Sequence, residues 1–343
     1  MLRRAPGALC RSLNILGTMT KRLVLIGSAI AVLSALAACS TPEIAPPHMQ
    51  PLSKDAMMLL GKKGMKTESP IFVRIFKEES ELEIWKQRDD GRYYHFKTYP
   101  ICTWSGDLGP KIVQGDKQAP EGFYQIHKSQ MNPNSSFHLA FNIGYPNAFD
   151  RANGRTGSAL MVHGKCRSAG CYAMTDGLIE EIYALARDQY ADGQENFPVH
   201  AFPFRMTDPN MARYKGHQWY AFWQTLKEGY DSFETTRQIP AVTVCEKRYH
   251  VNVKPIQSTP VKIEAEGRCP RFERLPVETF TPVPAEQQHT EVRIKAPGQK
   301  MRTYAASGQS PVAASTGGGI LSGLTNGQGR ASGTSSFGFS SQN

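Results

Sequence analysis

The sequence predicts a mainly β domain with flanking helices, an α+β fold, and three features predict it. Between residues 71 and 98 apolar side chains alternate with polar ones, at Ile71, Val73 and Ile75, then Leu82 and Ile84, then Tyr94, Phe96 and Thr98, which is the period of strands. Gly106, Gly109, Pro110, Gly115, Pro120 and Gly122 punctuate the next segment, as short strands joined by tight turns require. Apolar residues at helical spacing appear only later, from Leu178 onward.

The 343 residues, 40% of them hydrophobic, suffice for one sizeable core. The formal charge of +10 is unevenly placed: Arg3, Arg4, Arg11, Lys21 and Arg22 precede Cys39 with no acidic residue among them. Lys300, Arg302 and Arg330 follow Ala296, again without acids, so only +2 of the +10 remains on the part able to fold. A basic domain for nucleic acid therefore has no support.

Taken in order, Lys21 and Arg22 introduce an apolar run over residues 23–36 that ends in Leu36-Ala37-Ala38-Cys39. It is shorter than the roughly 20 residues of a membrane span and has the layout of an export signal over residues 1–38, with Met19 as a candidate start. The last four residues resemble a bacterial lipobox, which implies acylation of Cys39, a periplasmic location and, with Ser40 next, an anchor in the outer membrane. Residues 39–69, with Pro42, Pro46, Pro47 and Pro51, read as a tether.

Residues 70–235 form the expected folded domain. Its first strands are antiparallel, with Asp89-Asp90-Gly91 as a turn. Leu160, Met161 and Val162 make a short strand running into His163, which places that side chain at a sheet rim. Thr175 caps a helix with Leu178, Ile179, Ile182 and Leu185 inside and Glu180 and Glu181 outside. Thr207-Asp208-Pro209 opens another, and Trp219, Phe222, Trp223 and Leu226 form a stripe on a third. That stripe is read as core packing in preference to a carbohydrate platform. Residues 236–295 hold short extended pieces of no assigned role, and residues 296–343, rich in Gly and Ser, read as disordered.

Setting aside Cys10 and Cys39, the cysteines are Cys102, Cys166, Cys171, Cys245 and Cys269. An odd number in an oxidising compartment suggests one free thiol beside paired ones. Cys245 with Cys269 and Cys102 with Cys166 are the candidate pairs, leaving Cys171 free; a Cys166 to Cys171 bridge, which would silence the site, stays open.

The informative stretch is residues 161–174, MVHGKCRSAGCYAM. A thiol attacks only as thiolate, and His163 can serve as base if the loop through Gly164 and Gly170 folds Cys171 back beside it. The helix opening near Thr175 would favour the thiolate and a developing oxyanion. On spacing alone two rivals stand: His163, Cys166 and Cys171 as zinc ligands, and a buried thiol with a satisfied histidine.

The stretch resembles the YkuD-type L,D-transpeptidase catalytic domain, whose signature of His-Gly, a variable loop and Ser-X-Gly-Cys matches His163, Gly164, Ser168, Gly170 and Cys171. Ala119-Pro120-Glu121-Gly122-Phe123 is similar to that family's Pro-X-Gly-X-Phe turn, and FKTYPICTWSGDLGPK, FNIGYPNAFDRANG and FPFRMTDPNM point to its YafK-like branch. The resemblance implies a β-sandwich-like domain that forms a thioester between Cys171 and the meso-diaminopimelate carbonyl of a peptidoglycan stem peptide. The acyl group would then pass to an amine, or to water with release of a wall-linked lipoprotein. It also implies the carbonyl of Gly164 as the group orienting His163, with no metal and no cofactor. Tyr172 and Ala173 stand where many members have Ile or Val and then Arg, so Arg151 and Arg167 are substitutes for holding a carboxylate. Asn142, Tyr145, Ser168, Gly170 and Tyr172 complete the substrate candidates. A non-catalytic lipoprotein tethering membrane to wall is the alternative function.

Overall fold

The structure, a computed structural model, describes residues 45–256 and 262–281. The export signal, Cys39 and the Gly/Ser-rich tail lie outside the described residues, so the expectations placed on them have no structural counterpart here.

Two five-stranded sheets build the domain. The first has the order β3-β2-β1-β10-β5, from β1 (Ile71–Phe76), β2 (Glu81–Gln87), β3 (Tyr93–Pro100), β5 (Gly122–His127) and β10 (Asn196–Phe202). The second is β4-β9-β8-β7-β6, from β4 (Thr103–Trp104), β6 (Met131–Ser135), β7 (His138–Asn142), β8 (Met161–His163) and β9 (Tyr172–Ala173). The rings of Phe141 on β7 and Phe197 on β10 meet at 5.5 Å, joining the sheets. Five α-helices flank them among the described residues: α1 (Lys54–Lys62), α2 (Ala148–Ala152), α3 (Asp176–Ala191), α4 (Asp208–Arg213) and α5 (Tyr220–Thr236). The fold is therefore mainly β with flanking helices.

The expected antiparallel pairing holds for β1 with β2 and β2 with β3, but both sheets are mixed. β1 pairs with β10 in parallel, and so does β8 with β9. β1 and β10 are distant in sequence, and no local pattern announces their meeting. The alternation in β1 and β2 also hides a buried second face. Val73, Ile75, Leu82 and Ile84 form the apolar face, while Phe72, Arg74, Phe76, Glu83 and Trp85 lie beneath α5 rather than in water. Arg74 is buried there because Nε and an Nη donate to Glu83 at 3.0 and 2.8 Å and the other Nη to Glu234 at 2.7 Å. A buried charge needs such partners.

Two boundaries differ from the sequence expectation. The supposed tether folds from residue 47: Ser53 accepts the Ala56 N–H to cap α1, whose Ala56 and Leu60 are buried, and Lys63 donates to the carbonyls of His95 and Phe96 on β3. Segment 236–281 is not separate, because the hairpin of β11 (Val242–Cys245) and β12 (Arg248–Val251) seats Tyr249 on Phe149, with rings stacked at 4.2 Å. A further hairpin pairs β13 (Val253–Pro255) with β14 (Phe272–Arg274). Thr175 stands at the N-cap of α3 without a side-chain cap bond. Glu181, expected outward, accepts Lys97 and the Tyr99 hydroxyl, which ties α3 to β3.

Candidate active site

β8 and β9 are adjacent and parallel, with Val162 opposite Tyr172 and His163 opposite Ala173. Extending the register by one residue sets Cys171 opposite Met161. Because side chains alternate along a strand, Met161, His163, Cys171 and Ala173 all project from one face, with His163 and Cys171 on a diagonal. The Met161 N–H lies 3.4 Å from Cys171 Sγ and the Ala159 carbonyl 3.7 Å from it. These are the sulfur's hydrogen-bond partners among the described residues, and Cys171 is the one free cysteine there.

The loop joining base and sulfur is braced throughout. Cys166 is bonded to Cys102, with Cα atoms 5.3 Å apart, and its N–H donates to the Met174 carbonyl. Neither the Cys166 to Cys171 bridge nor the zinc set of His163, Cys166 and Cys171 is formed. Cys245 is bonded to Cys269; these two sulfurs and a His250 nitrogen lie within 4.8 Å of one another, but the disulfide occupies the ligating atoms. Ser168 Oγ donates to the Cys171 carbonyl at 2.7 Å and accepts the Gly170 N–H at 3.3 Å, which fixes the backbone entering the nucleophile. Gly170 has φ of 122°, a conformation open to glycine and costly for other residues. At Gly164 a Cβ would fall 2.6 Å from Asp176 Oδ1.

His163 is 3% exposed, its ring against that of Phe137 at 4.7 Å. Burial holds its pKa below 6.5, opposed by the Gly164 carbonyl at Nδ1. Burial also pushes the Cys171 thiol up, opposed by the Met161 N–H and the Lys111 charge. Both shifts favour a neutral thiol beside a neutral imidazole at rest, in contrast to the helix-end support for a thiolate expected from the sequence. The expected helix end does not reach the sulfur either: β9 carries the chain away first, and Asp176 at the start of α3 accepts the Lys165 N–H at 2.8 Å.

The remaining candidates divide. Tyr172 is 1% exposed and donates to the Pro120 carbonyl at 2.6 Å, so it locks the Pro120 turn to the strand after Cys171 instead of facing substrate. Tyr145 is also buried, donating to the Lys111 carbonyl at 3.2 Å. Asn142 Oδ1 accepts the Gly144 N–H, a turn contact. Arg151 is exposed on α2 and donates to the Pro146 carbonyl, and Arg167 is exposed within the loop.

Sequence reasoning missed the cation. Lys111 is buried, donates to Val113 O at 2.9 Å and contacts Asp116, and its charge bears on the thiol. It also missed Phe137, and Ala159, which holds φ of 56° beside the sulfur. Such a conformation costs a non-glycine residue of order 1–3 kcal/mol and is found where surroundings enforce it. Behind the turn, Lys77 and Glu121, both 0% exposed, pair at 3.0 Å. Glu121 also accepts the Gly109 N–H and the Trp223 indole N–H.

A family model described as the L,D-transpeptidase catalytic domain, YkuD, matches residues 72–200. Two relatives, each named "Putative L,D-transpeptidase YafK", from Escherichia coli strain K12 and from Escherichia coli O157:H7, are 47% identical over 188 residues, covering 55% of this chain and 76% of each relative. Among solved structures, the helical cell shape determining protein Pgp2 from Campylobacter jejuni aligns at TM-score 0.32 and 17% identity over 57% of this chain and 80% of that one. Bd1075 from Bdellovibrio bacteriovorus aligns at TM-score 0.28 and 21% identity over 47% and 54%. The sequence relatives define a transpeptidase-type catalytic domain. The chain belongs to the YkuD-type L,D-transpeptidase family; it is an enzyme of that family, and the domain implies peptidoglycan as its substrate.

Proposed function

We propose that Cys171 is the nucleophile and His163 the base of an acyl transfer on peptidoglycan stem peptides. The observation that carries this reading is the pairing of β8 with β9, which sets the one free thiol among the described residues and a carbonyl-held imidazole on the same face of adjacent strands. His163 takes the thiol proton as the sulfur attacks the meso-diaminopimelate carbonyl, and returns it to the departing amine, leaving a thioester. An incoming amine or water then gives its proton to His163, attacks the thioester carbonyl and expels the sulfur, which is reprotonated. The Cys171 N–H is the first donor to the oxyanion, and Lys111 offsets negative charge as it develops on sulfur. Gly164 orients the imidazole, while Ser168 and Gly170 position the nucleophile's backbone; Arg151 and Arg167 are the exposed cations available for a stem-peptide carboxylate.

The domain would work in the periplasm, held to the outer membrane through lipid on Cys39. Cross-linking and release of a wall-linked lipoprotein share the same thioester and differ only in the second attacking group. Purified muropeptides incubated with and without a free amine acceptor, then analysed by mass spectrometry, test the reading. Exchanged products with the amine show transfer and shortened products without it show hydrolysis. No change in either sample overturns the proposal.

A further inference from the structure

The aromatic stripe of α5 does not go wholly into the core. Trp223 and Leu226 are fully buried, but Trp219 and Phe222 are only half-buried, and both line an open cleft of about 560 Å³ between α2, α5 and the β11–β12 hairpin. The cleft is stiff where it is aromatic. Phe222 stacks on Phe149 at 5.4 Å, and the Arg155 guanidinium, already paired with Asp150, lies over both rings at 4.8 and 4.9 Å. Its rim is polar, with the exposed amides of Gln218 and Gln224 on one side. On the other side Lys247 and Arg248 are exposed at the hairpin turn, with no ion-pair partner among the described residues.

We propose that this cleft binds the glycan strand of peptidoglycan, a site separate from the catalytic face. Flat aromatic surfaces suit the C–H faces of pyranose rings, primary amides suit hydroxyl and acetamide groups, and two unpaired cations suit the carboxylates of those sugars along the strand from which the stem peptide has been removed. A protein partner fits less well, since the lining lacks the fully apolar pockets that anchor large side chains. The position is also appropriate. Arg155 in the cleft is four residues from Ala159, whose carbonyl touches the Cys171 sulfur, so their Cα atoms are at most about 14 Å apart. The cleft and the sulfur are thus joined by one short segment of chain, which suits a strand held in the cleft while a stem peptide on a neighbouring sugar extends towards Cys171. The proposal rests on peptidoglycan being the substrate but not on the roles given to Cys171 and His163.

The test uses the full chain carrying Cys171→Ala, titrated calorimetrically with glycan oligosaccharides freed of stem peptides. Binding is expected, and in the same chain bearing Gln218→Ala, Gln224→Ala, Lys247→Glu and Arg248→Glu it should weaken by about tenfold or more, as loss of charged and amide hydrogen bonds predicts. Fully N-acetylated oligosaccharides without carboxylates should bind more weakly and be insensitive to the two charge reversals alone. No binding of stripped glycan, or equal binding by the rim variant with unchanged melting temperature, overturns the proposal. So does a rim variant that loses free stem peptide but keeps glycan, since the cleft would then hold peptide. Glycan binding by a chain whose thiol proves inert would leave this inference standing and remove only the catalytic one.

Discussion

His163 Nδ1 lies 2.7 Å from the carbonyl oxygen of Gly164, the next residue in the chain. A carbonyl only accepts, so Nδ1 carries the proton and donates it, and the neutral ring is left with Nε2 as its acceptor. The tautomer is thus set by backbone, with no carboxylate in the third place. That arrangement suits a base that must be neutral until the moment of attack, and burial against Phe137 works in the same direction.

A neutral resting pair has a measurable signature. With the Cys171 thiol raised by burial and His163 lowered, the thiolate fraction should grow with pH through and beyond 8.5, the ordinary thiol value. Iodoacetamide alkylation of Cys171, followed by mass spectrometry, should accelerate steadily from pH 6 to pH 9. A rate that is flat across that interval would mean a pre-formed thiolate and imidazolium.

Phe137 should tune the acid side of the activity. Replacing it by Ala exposes the imidazole while leaving the Phe137 carbonyl to accept the Gly164 N–H. Less desolvation raises the His163 pKa towards 6.5, so the protonated, inactive form persists to higher pH. The acid limb of kcat/KM, expected below pH 6.5 in the parent, should move upward in Phe137→Ala. A limb that stays in place would detach it from His163.

The Lys77 and Glu121 pair is expected to matter out of proportion to its distance from the sulfur. Glu121→Gln leaves the Lys77 charge buried without a counter-charge and disturbs the acceptors of Gly109 and Trp223. Breaking a buried pair from one side costs about 3–5 kcal/mol. Urea unfolding should show a loss of that size, and the double variant Lys77→Met with Glu121→Gln should lose less than the sum of the singles. Additive losses would mean that the two side chains do not depend on one another.

The legible part of the fold was what chain-local periodicity carries: the three opening strands, the helices beginning at Asp176 and Asp208, and the short strand ending at His163. Local pattern could not reveal that β10 returns to pair with β1 in parallel, and so could not show that Arg74 and Glu83 would be buried beneath α5. Proline spacing made residues 39–69 read as a tether, because the apolar residues of α1 form one short run from Ala56 to Leu60 and the helix gains anchorage from Lys63 on β3, which no local pattern shows. At the site, His163, Cys171 and the loop glycines stood out because their chemistry is written in one short stretch. Tyr172, next to the sulfur in sequence, turns to the opposite face of its strand and serves the Pro120 turn. Lys111 comes from a distant loop: it closes the segment FKTYPICTWSGDLGPK that carried the family resemblance, but nothing local ties it to the thiol.

The central claim is a covalent bond between substrate and one sulfur. Intact-mass measurement of the full chain, acid-quenched during turnover of a purified disaccharide-tetrapeptide, should show a stem-peptide acyl adduct mapping to Cys171. The adduct should be absent from Cys171→Ala and formed about 10²–10⁴ times more slowly in His163→Ala. Turnover that persists in Cys171→Ala, with no adduct in the parent, would contradict the account.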